Sequence, residues 1–340
     1  MDFRLTEEQR ALRAGMRELV ARRFPRDRLR AAVDEGADPG VWPELAAAGL
    51  FRLRLDGMGA PEAAVVFEEA GRALLPGPLV STHLAATYGL VAAAERGEAV
   101  VAGCDGALVD HLAGADAVLV ADGRRALVCA PDALPAERMA SVDPLTELWR
   151  LPSGWSWPES RPESESESGS GRGAADPAAL WRDAVVLTAA EQSGSAARTV
   201  ELAVEHARSR RQFGRPIGAF QAVKHLCARM LVRAELARTA VYAAAVTGDP
   251  AETAAAKLLA DEAAVDNARD CLQVFGGTGF TWESDVHLHL KRAWLRAGRY
   301  LDRAAAEEAL ADALPTPATD PGRSPRRPPD IHDPRGRREA

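Results

Sequence analysis

Two short segments of the chain combine residue types that could bind a phosphate group. The first reads Arg-Arg-Gln-Phe-Gly-Arg-Pro at 210–216, and the second reads Gln-Val-Phe-Gly-Gly-Thr-Gly-Phe at 273–280. An arginine can form two parallel hydrogen bonds with phosphate oxygens, and backbone N–H groups of a Gly-Gly turn can approach phosphate because no Cβ intervenes. Glutamine offers both a donor and an acceptor. Together, the two segments are candidates for a phosphate-bearing ligand.

Each segment also has a purely structural explanation when it is taken alone. Arg210 and Arg211 could be cations at a helix C-terminus, where they complement the helix dipole. Gly276 and Gly277 could simply end a helix. The spacing between the segments accommodates two helices and a turn, so both can lie at one end of a bundle or on facing ends of paired subunits. Ligand binding is therefore indicated by their conjunction, and not by either segment alone.

The sequence around these segments predicts a bundle of four long helices over residues 176–314. Asp176-Pro177 is typical of a helix start, with the aspartate as N-cap and the proline at the first helical position. Gly248-Asp249-Pro250 predicts a turn, and the glycines after Phe275 predict a helix end. The four helices are predicted at about 176–210, 220–247, 250–275 and 283–314.

The first hundred residues predict an N-terminal helical domain. Thr6-Glu7-Glu8-Gln9 is a capping box, and apolar residues follow it at helical spacing. Three further short helices are predicted at 41–50, 61–75 and 79–96. The fold class is therefore predicted to be mainly α.

Residues 101–152 predict a short β region between the helical parts. Apolar runs at 117–120 and 126–129 flank Asp122-Gly123, which is typical of a β-hairpin. Residues 141–151 could supply another strand. The segment 153–175 is predicted to be a disordered linker, because its serine- and glutamate-rich stretch has no apolar residue to bury. The proline- and arginine-rich tail at 315–340 is also predicted to be disordered.

Composition excludes several classes of protein. The net charge of −7 at pH 7 argues against nucleic-acid binding. No run approaches the roughly 20 apolar residues that span a membrane, and no signal peptide is predicted, so a cytoplasmic location is expected. The cysteines are far apart and lack zinc-like spacing, which predicts reduced thiols and no metal site. They are Cys104, Cys129, Cys227 and Cys271.

The two segments and the helices between them resemble the C-terminal domain of acyl-CoA dehydrogenases, a family of FAD enzymes. In this family the loop after the first bundle helix carries an arginine, a polar residue and Phe-Gly, and a glutamine follows shortly. The later loop reads Gln-x-x-Gly-Gly-x-Gly-Phe/Tyr. The sequence matches at Arg210, Phe213, Gly214, Gln221, Gln273, Gly276, Gly277 and Gly279. The resemblance covers 176–296 and, more weakly, the N-terminal helices.

The resemblance implies both a cofactor and a reaction. FAD would accept a hydride while an acyl-CoA thioester undergoes α,β-dehydrogenation, and electrons would pass to an electron-transfer flavoprotein. In the family the two loops come from different subunits and close over one FAD, so a homo- or hetero-oligomer is implied. The residues expected to bind FAD are Arg210, Gln212, Phe213, Gln221, Gln273, Gly276 and Gly277.

The catalytic carboxylate of the family has no counterpart that the sequence identifies. Most members place a glutamate in a Glu-Gly-Thr-like turn, at the position that Leu301 occupies here, with Asp302 adjacent. Other members place it early in the first bundle helix, near Ala184, where Asp183 is a neighbour and Glu191 lies further on. The β region also lacks the threonine- and serine-rich phrase that touches the flavin ring in ordinary members. The catalytic base is therefore left unassigned.

These departures leave several hypotheses open. The chain resembles the reduced subunits of heteromeric actinobacterial acyl-CoA dehydrogenases, in which one chain completes the FAD site of a fuller partner. It could instead form an active homodimer with a displaced base. A third possibility is another flavin reaction on the same fold, such as that of an oxidase or a monooxygenase.

Overall fold

The computed structural model describes residues 4–36, 40–155 and 175–314. Within these residues the protein is mainly helical with one six-stranded sheet, which confirms the predicted fold class. The predicted linker lies outside the described residues except at its two ends, and the predicted tail lies wholly outside them. The division into separate domains stays a prediction.

Five α-helices make up the N-terminal part. They are α1 (Glu7–Arg23), α2 (Arg26–Glu35), α3 (Val41–Ala47), α4 (Ala60–Arg72) and α5 (Leu79–Thr87). The predicted capping box is confirmed, since the backbone N–H of Gln9 donates to Thr6 Oγ1 at 3.1 Å and that of Thr6 donates to Gln9 Oε1 at 3.0 Å. Helix α2 was not predicted from the sequence. The helix predicted at 79–96 ends at Thr87, and a 3-10 turn follows at Ala92–Arg96.

The bundle contains α6 (Pro177–Ser209), α7 (Gln221–Thr247), α8 (Pro250–Phe275), α9 (Val286–Ala297) and α10 (Arg303–Asp312). The first three confirm the predicted helices almost to the residue. The prediction of one continuous fourth helix at 283–314 was wrong, because the helix is interrupted between α9 and α10. Tyr300 adopts a positive φ of 59° in this break, and Asp302 then caps α10 by accepting from the N–H of Ala305 at 2.9 Å.

The sheet contains β1 (Val101–Asp105), β2 (Leu108–Asp110), β3 (Ala117–Ala121), β4 (Ala126–Cys129), β5 (Glu137–Met139) and β6 (Leu148–Arg150). Its strand order is β4-β3-β1-β2-β6-β5, in which β1 and β3 are parallel and the other pairs are antiparallel. The β3–β4 hairpin confirms the prediction at Asp122-Gly123. The strand predicted at 141–151 is confined to Leu148–Arg150, and a separate short hairpin pairs β7 (Arg211–Gln212) with β8 (Arg215–Pro216).

A close crossing of α4 and α6 joins the N-terminal helices to the bundle. A Cβ on Gly194 would lie 1.8 Å from the carbonyl oxygen of Glu68, and one on Gly71 would lie 2.0 Å from that of Glu191. Both glycines are therefore required for the two backbones to touch. One hydrophobic core runs through this crossing and includes residues of the N-terminal helices, the sheet and the bundle.

Candidate functional site

The two phosphate-binding candidates lie at the same end of the bundle within one chain. The imidazole of His206, one turn before Arg210, stacks on the ring of Phe275 with 4.1 Å between the centroids. Phe275 directly precedes Gly276. Partial burial and, secondarily, the nearby charge of Arg210 lower the pKa of His206. Of the two arrangements that the sequence left open, the structure has the one in which both segments share a bundle end.

The first segment forms the β7–β8 hairpin and is exposed from Arg210 to Arg215. Phe213 lies at its tip with a φ of 50° and 88% of its surface exposed. Non-glycine residues rarely adopt such a backbone conformation. The Arg211 side chain donates to the carbonyl of Gly214 at 3.0 Å, whereas Arg210 and Gln212 are exposed to solvent. The hairpin therefore presents a cation, an amide and an aromatic ring to the surroundings.

The start of α7 adds uncapped backbone donors beside this hairpin. Gln221 is the exposed first residue of this helix, and the N-cap residue Phe220 makes no side-chain capping bond. The N-terminus of a helix attracts anions because its first N–H groups lack partners and the helix dipole is positive there. An anionic ligand at this end of the bundle would thus meet both Arg210 and the N-terminus of α7.

The second segment is an open glycine turn at the end of α8. Gly276 has φ 61° and ψ −143°, a conformation that suits glycine alone. A Cβ at Gly276 or Gly277 would meet no atom within 4 Å, so both backbones border open space, and Gln273 is exposed. These loops fit the diphosphate of FAD in charge and access. In a single chain they are open to solvent, so the described residues do not enclose a ligand there.

The cleft between the sheet and the bundle differs from the open loops, because Arg299 seals it. Its guanidinium is 4% exposed and lies 3.3 Å from Asp110 Oδ2. It also donates to the carbonyls of Gly103 and Leu108, each at 3.3 Å. The adjacent Tyr300 N–H donates to the Asp105 carboxylate. These contacts attach the segment between α9 and α10 to β1 and β2.

A small cavity lies in this cleft. Its volume is about 40 Å³, which is room for a few water molecules. The lining includes Asp110, His111, Thr188, Glu191, Arg296 and Tyr300. His111 and Tyr300 both have positive φ, 52° and 59°. A cavity of this size does not fit a flavin ring, and a second, more open cavity of about 710 Å³ adjoins it at His111, Thr146 and Leu148.

The carboxylates considered for the catalytic base each have a structural partner. Glu191 lies 2.5 Å from Arg296, and burial raises the pKa of Glu191 although this cation opposes the shift. Asp183 pairs with Arg54 at 2.6 Å and accepts from a tyrosine hydroxyl at 3.0 Å. Asp302 caps α10. The other two positions, Ala184 and Leu301, are buried and apolar.

Sequence reasoning missed the arginines that form this buried network. Arg292 and Arg296 lie one turn apart near the end of α9, and Arg299 follows just beyond that helix. Arg292 pairs with Asp143 at 2.8 Å, and both are almost fully buried. The available signal was the spacing of the three arginines, which places them on one side of the helix predicted at 283–314. Their partners are far away in sequence and could not be read from it.

The described residues contain neither a candidate metal site nor a membrane-spanning helix. Within the ranges that the structure covers, no group of three or more His, Cys, Asp or Glu side chains could hold a metal ion. Among those same residues, no helix is both long enough and apolar enough to cross a membrane.

Two family models match the chain. The model described as "Acyl-CoA dehydrogenase, N-terminal domain" matches residues 6–96, and the one described as "Acyl-CoA dehydrogenase, C-terminal domain" matches residues 183–300. The acyl-CoA dehydrogenase IpdE2 of Mycobacterium tuberculosis is 37% identical over 304 residues, which cover 84% of this chain and 91% of that protein. IpdE2 of Mycolicibacterium smegmatis is 32% identical, with 85% of this chain and 93% of that protein covered.

Solved structures share the fold. A variant of the Tcur3481-Tcur3483 steroid ACAD has a TM-score of 0.74 and 23% identity, with 90% of this chain and 97% of the other covered. The ChsE4-ChsE5 complex from Mycobacterium tuberculosis has a TM-score of 0.71 and 22% identity, with coverages of 92% and 97%. Fold, family models and relatives agree, and the chain belongs to the acyl-CoA dehydrogenase family.

Proposed function

We propose that this chain is a subunit of an FAD-dependent acyl-CoA dehydrogenase and that it completes the FAD site of a homologous chain. The homologous chain would hold the flavin ring and the catalytic carboxylate. The assembly would catalyse α,β-dehydrogenation of an acyl-CoA thioester in the cytoplasm and would pass electrons to an electron-transfer flavoprotein.

The contrast between the two halves of the expected site carries this proposal. Arg210, the N-terminus of α7 and the glycine turn are open at the bundle end. The cleft between the sheet and the bundle, to which we assign the flavin ring, contains a cavity of only about 40 Å³ beside the buried Arg299. These features support a role in which this chain supplies its diphosphate-binding loops to the FAD site of another chain and does not hold the flavin ring itself.

Bound FAD supplies the acceptor for the hydride that leaves the β-carbon of the substrate. The part assigned to this chain is electrostatic and positional. Arg210 would pair with a diphosphate oxygen, and the turn at Gly276 would let its backbone approach that group. Removal of the α-proton needs a carboxylate free to accept it. In this chain the side chain of Glu191 is bound to Arg296, so the base is assigned to the partner.

Two solved structures with the same fold support an assembly of unlike chains. One is named as the ChsE4-ChsE5 complex and the other carries the paired name Tcur3481-Tcur3483. Each name joins two chains. A homologous chain with an intact base is therefore the partner that we propose.

A second candidate is an enzyme that works alone with Glu191 as its base. One observation favours it, since Glu191 lines the cavity and burial raises its pKa, as is common for catalytic carboxylates. This alternative requires Arg296 to release the carboxylate and Arg299 to open the cleft.

Expression with and without a homologous chain distinguishes the candidates. We expect this chain alone to be colourless and the copurified pair to show flavin absorbance that bleaches anaerobically when an acyl-CoA is added. A yellow protein that bleaches without any partner would overturn the proposal in favour of Glu191. Rapid reoxidation of the reduced pair by oxygen would instead indicate an oxidase or monooxygenase.

A further inference from the structure

Helix α2 contacts the segment that follows the glycine turn through three residues on one face. Arg26, Arg30 and Asp34 are spaced at i, i+4 and i+8, so they form a row along the helix. All three contact residues in the segment 282–285, which connects the glycine turn to α9. We call this set of contacts the α2 clamp.

Arg26 makes the closest contacts of the clamp. Its Nε lies 2.5 Å from Asp285 Oδ2, and its Nη2 lies 3.1 Å from Asp285 Oδ1, which is a bidentate pair. The same Nη2 donates to the carbonyl of Glu283 at 2.7 Å. The guanidinium thus binds the carboxylate through Nε and Nη2, and it also binds a backbone carbonyl. Such contacts fix the position of the backbone as well as that of a side chain.

Trp282 supplies the other half of the clamp. Its indole N–H donates to Asp34 Oδ1 at 2.9 Å, and the guanidinium of Arg30 lies 5.7 Å from its ring centroid. On the α9 side, the Lys291 ammonium lies 4.8 Å from the same centroid, and the ring of His287 stacks at 5.3 Å. The indole is thus held between α2 and α9 although about half of it is exposed.

The glycine turn has few restraints of its own. Gly276 and Gly277 border open space, and 72% of Phe280 is exposed. The hydrogen bonds recorded around Thr278 are local, such as that of its hydroxyl with the carbonyl of Phe275 at 2.8 Å. On its N-terminal side the turn is anchored by α8. On its C-terminal side the long-range hydrogen bonds are those made by Arg26 and Asp34.

We propose that the α2 clamp positions the glycine turn for FAD binding, with Arg26 as a positioning residue that acts through Asp285. This inference rests on the proposed function, since it assumes that the turn contacts FAD. Arg26 itself is assigned no contact with the cofactor. A binding loop must be held close to its productive geometry, and ordering it in advance lowers the entropy lost when the ligand binds.

A double-mutant cycle on the complex with a homologous chain tests the clamp. Arg26→Ala and Asp285→Ala should each raise the FAD Kd roughly fivefold, by loss of a charge-assisted hydrogen-bonded pair. The double variant should also remain near fivefold, whereas independent effects would multiply to about 25-fold. Arg22→Ala is the matched control, because Arg22 is exposed and its ion pair is with Glu18 of the same helix.

Hydrogen exchange of this chain without FAD gives a second readout. The amides of residues 277–281 should exchange several-fold faster in all three clamp variants, while those in the middle of α6 should not change. Unchanged exchange at 277–281 would overturn the inference, and so would faster exchange with an unchanged FAD Kd. If the wild-type complex binds no FAD, the proposed function fails. If it binds FAD and the variants bind equally well, only the clamp fails.

Discussion

Glu191 and Arg296 form a buried ion pair, with 2.5 Å between Oε2 and Nη1, where α6 and α9 face the sheet. The carboxylate has almost no exposed surface, and the side chain of Arg296 is mostly buried. A charge in such a place is tolerated because its partner compensates it. The pair therefore occupies the one candidate base that lines the small cavity.

Replacement of Glu191 should reduce stability without removing catalysis from the assembled complex. Glu191→Ala leaves the guanidinium of Arg296 uncompensated in a buried site, which costs about 3–5 kcal/mol in the free energy of unfolding. Urea unfolding of the variant measures this cost. The turnover of the folded complex should stay within about twofold of the wild-type value, because the base belongs to the partner. A loss of several orders of magnitude in turnover would identify Glu191 as the base.

Arg210→Ala should weaken FAD binding by the complex. The lost interaction is a charge-assisted contact with a diphosphate, worth roughly 1.5–3 kcal/mol, so the Kd should rise by about 10- to 100-fold. Fluorescence titration with FAD measures it. Arg208→Ala is the control, since Arg208 is exposed on the last turn of α6 and is not assigned to the site. Equal FAD content in both variants would show that Arg210 does not contact the cofactor.

Gly276→Ala should distort the glycine turn. The residue has a φ of 61° and a ψ of −143°, and alanine in this conformation costs on the order of 1–3 kcal/mol. We expect weaker FAD binding together with a lower midpoint of thermal unfolding. Gly298→Ala is a matched control, because Gly298 has a φ of −94° and an added Cβ would be 3.8 Å from its nearest contact. If both variants behave alike, the conformation of Gly276 has no special role.

His289 should make the folded state sensitive to acid. Burial, aided by nearby arginines, lowers the pKa of His289 to about 3, and its Nδ1 lies 2.8 Å from the hydroxyl of Ser195. An unfolded histidine has a pKa of about 6.5, so the unfolded chain binds more protons between these two values. The contribution of His289 to stability is therefore fully present above about pH 6.5 and is lost as the pH decreases towards 3.

The variant His289→Gln isolates this contribution. In this variant, the decrease in the free energy of unfolding from pH 7.5 to pH 5.5 should be about 1.4 kcal/mol smaller than in the wild type. Urea unfolding at the two pH values measures the difference. His225→Gln, which changes an exposed histidine on α7, serves as the control. An identical pH dependence in the wild type and in His289→Gln would mean that His289 is not held neutral in the folded state.

The parts of the fold that the sequence predicted well have strong local signals. Asp176-Pro177 and Asp249-Pro250 mark helix starts because a carboxylate cap and a proline act within a few residues. Helix α2 lacked such a signal, because its N-cap is Pro25 and no side chain caps it. The break in the predicted fourth helix was missed because it depends on the positive φ of Tyr300, a residue with no turn preference of its own.

The site was predictable only in its exposed half. The loops at Arg210 and Gly276 carry motif residues that the sequence displays directly. The sealing of the cleft depends on Arg299 binding the carbonyl of Gly103, a contact between residues almost 200 positions apart. No periodicity or spacing encodes such a pairing. The sequence shows that the catalytic base of the family is missing, whereas the structure shows which side chains occupy the cleft.

The number of FAD molecules per chain tests the central claim most directly. Native mass spectrometry of this chain copurified with a homologous acyl-CoA dehydrogenase chain, combined with the flavin absorbance of the same sample, gives that number. We predict one FAD for each pair of unlike chains and none for this chain alone. One FAD bound to every copy of this chain, without a partner, would contradict the account.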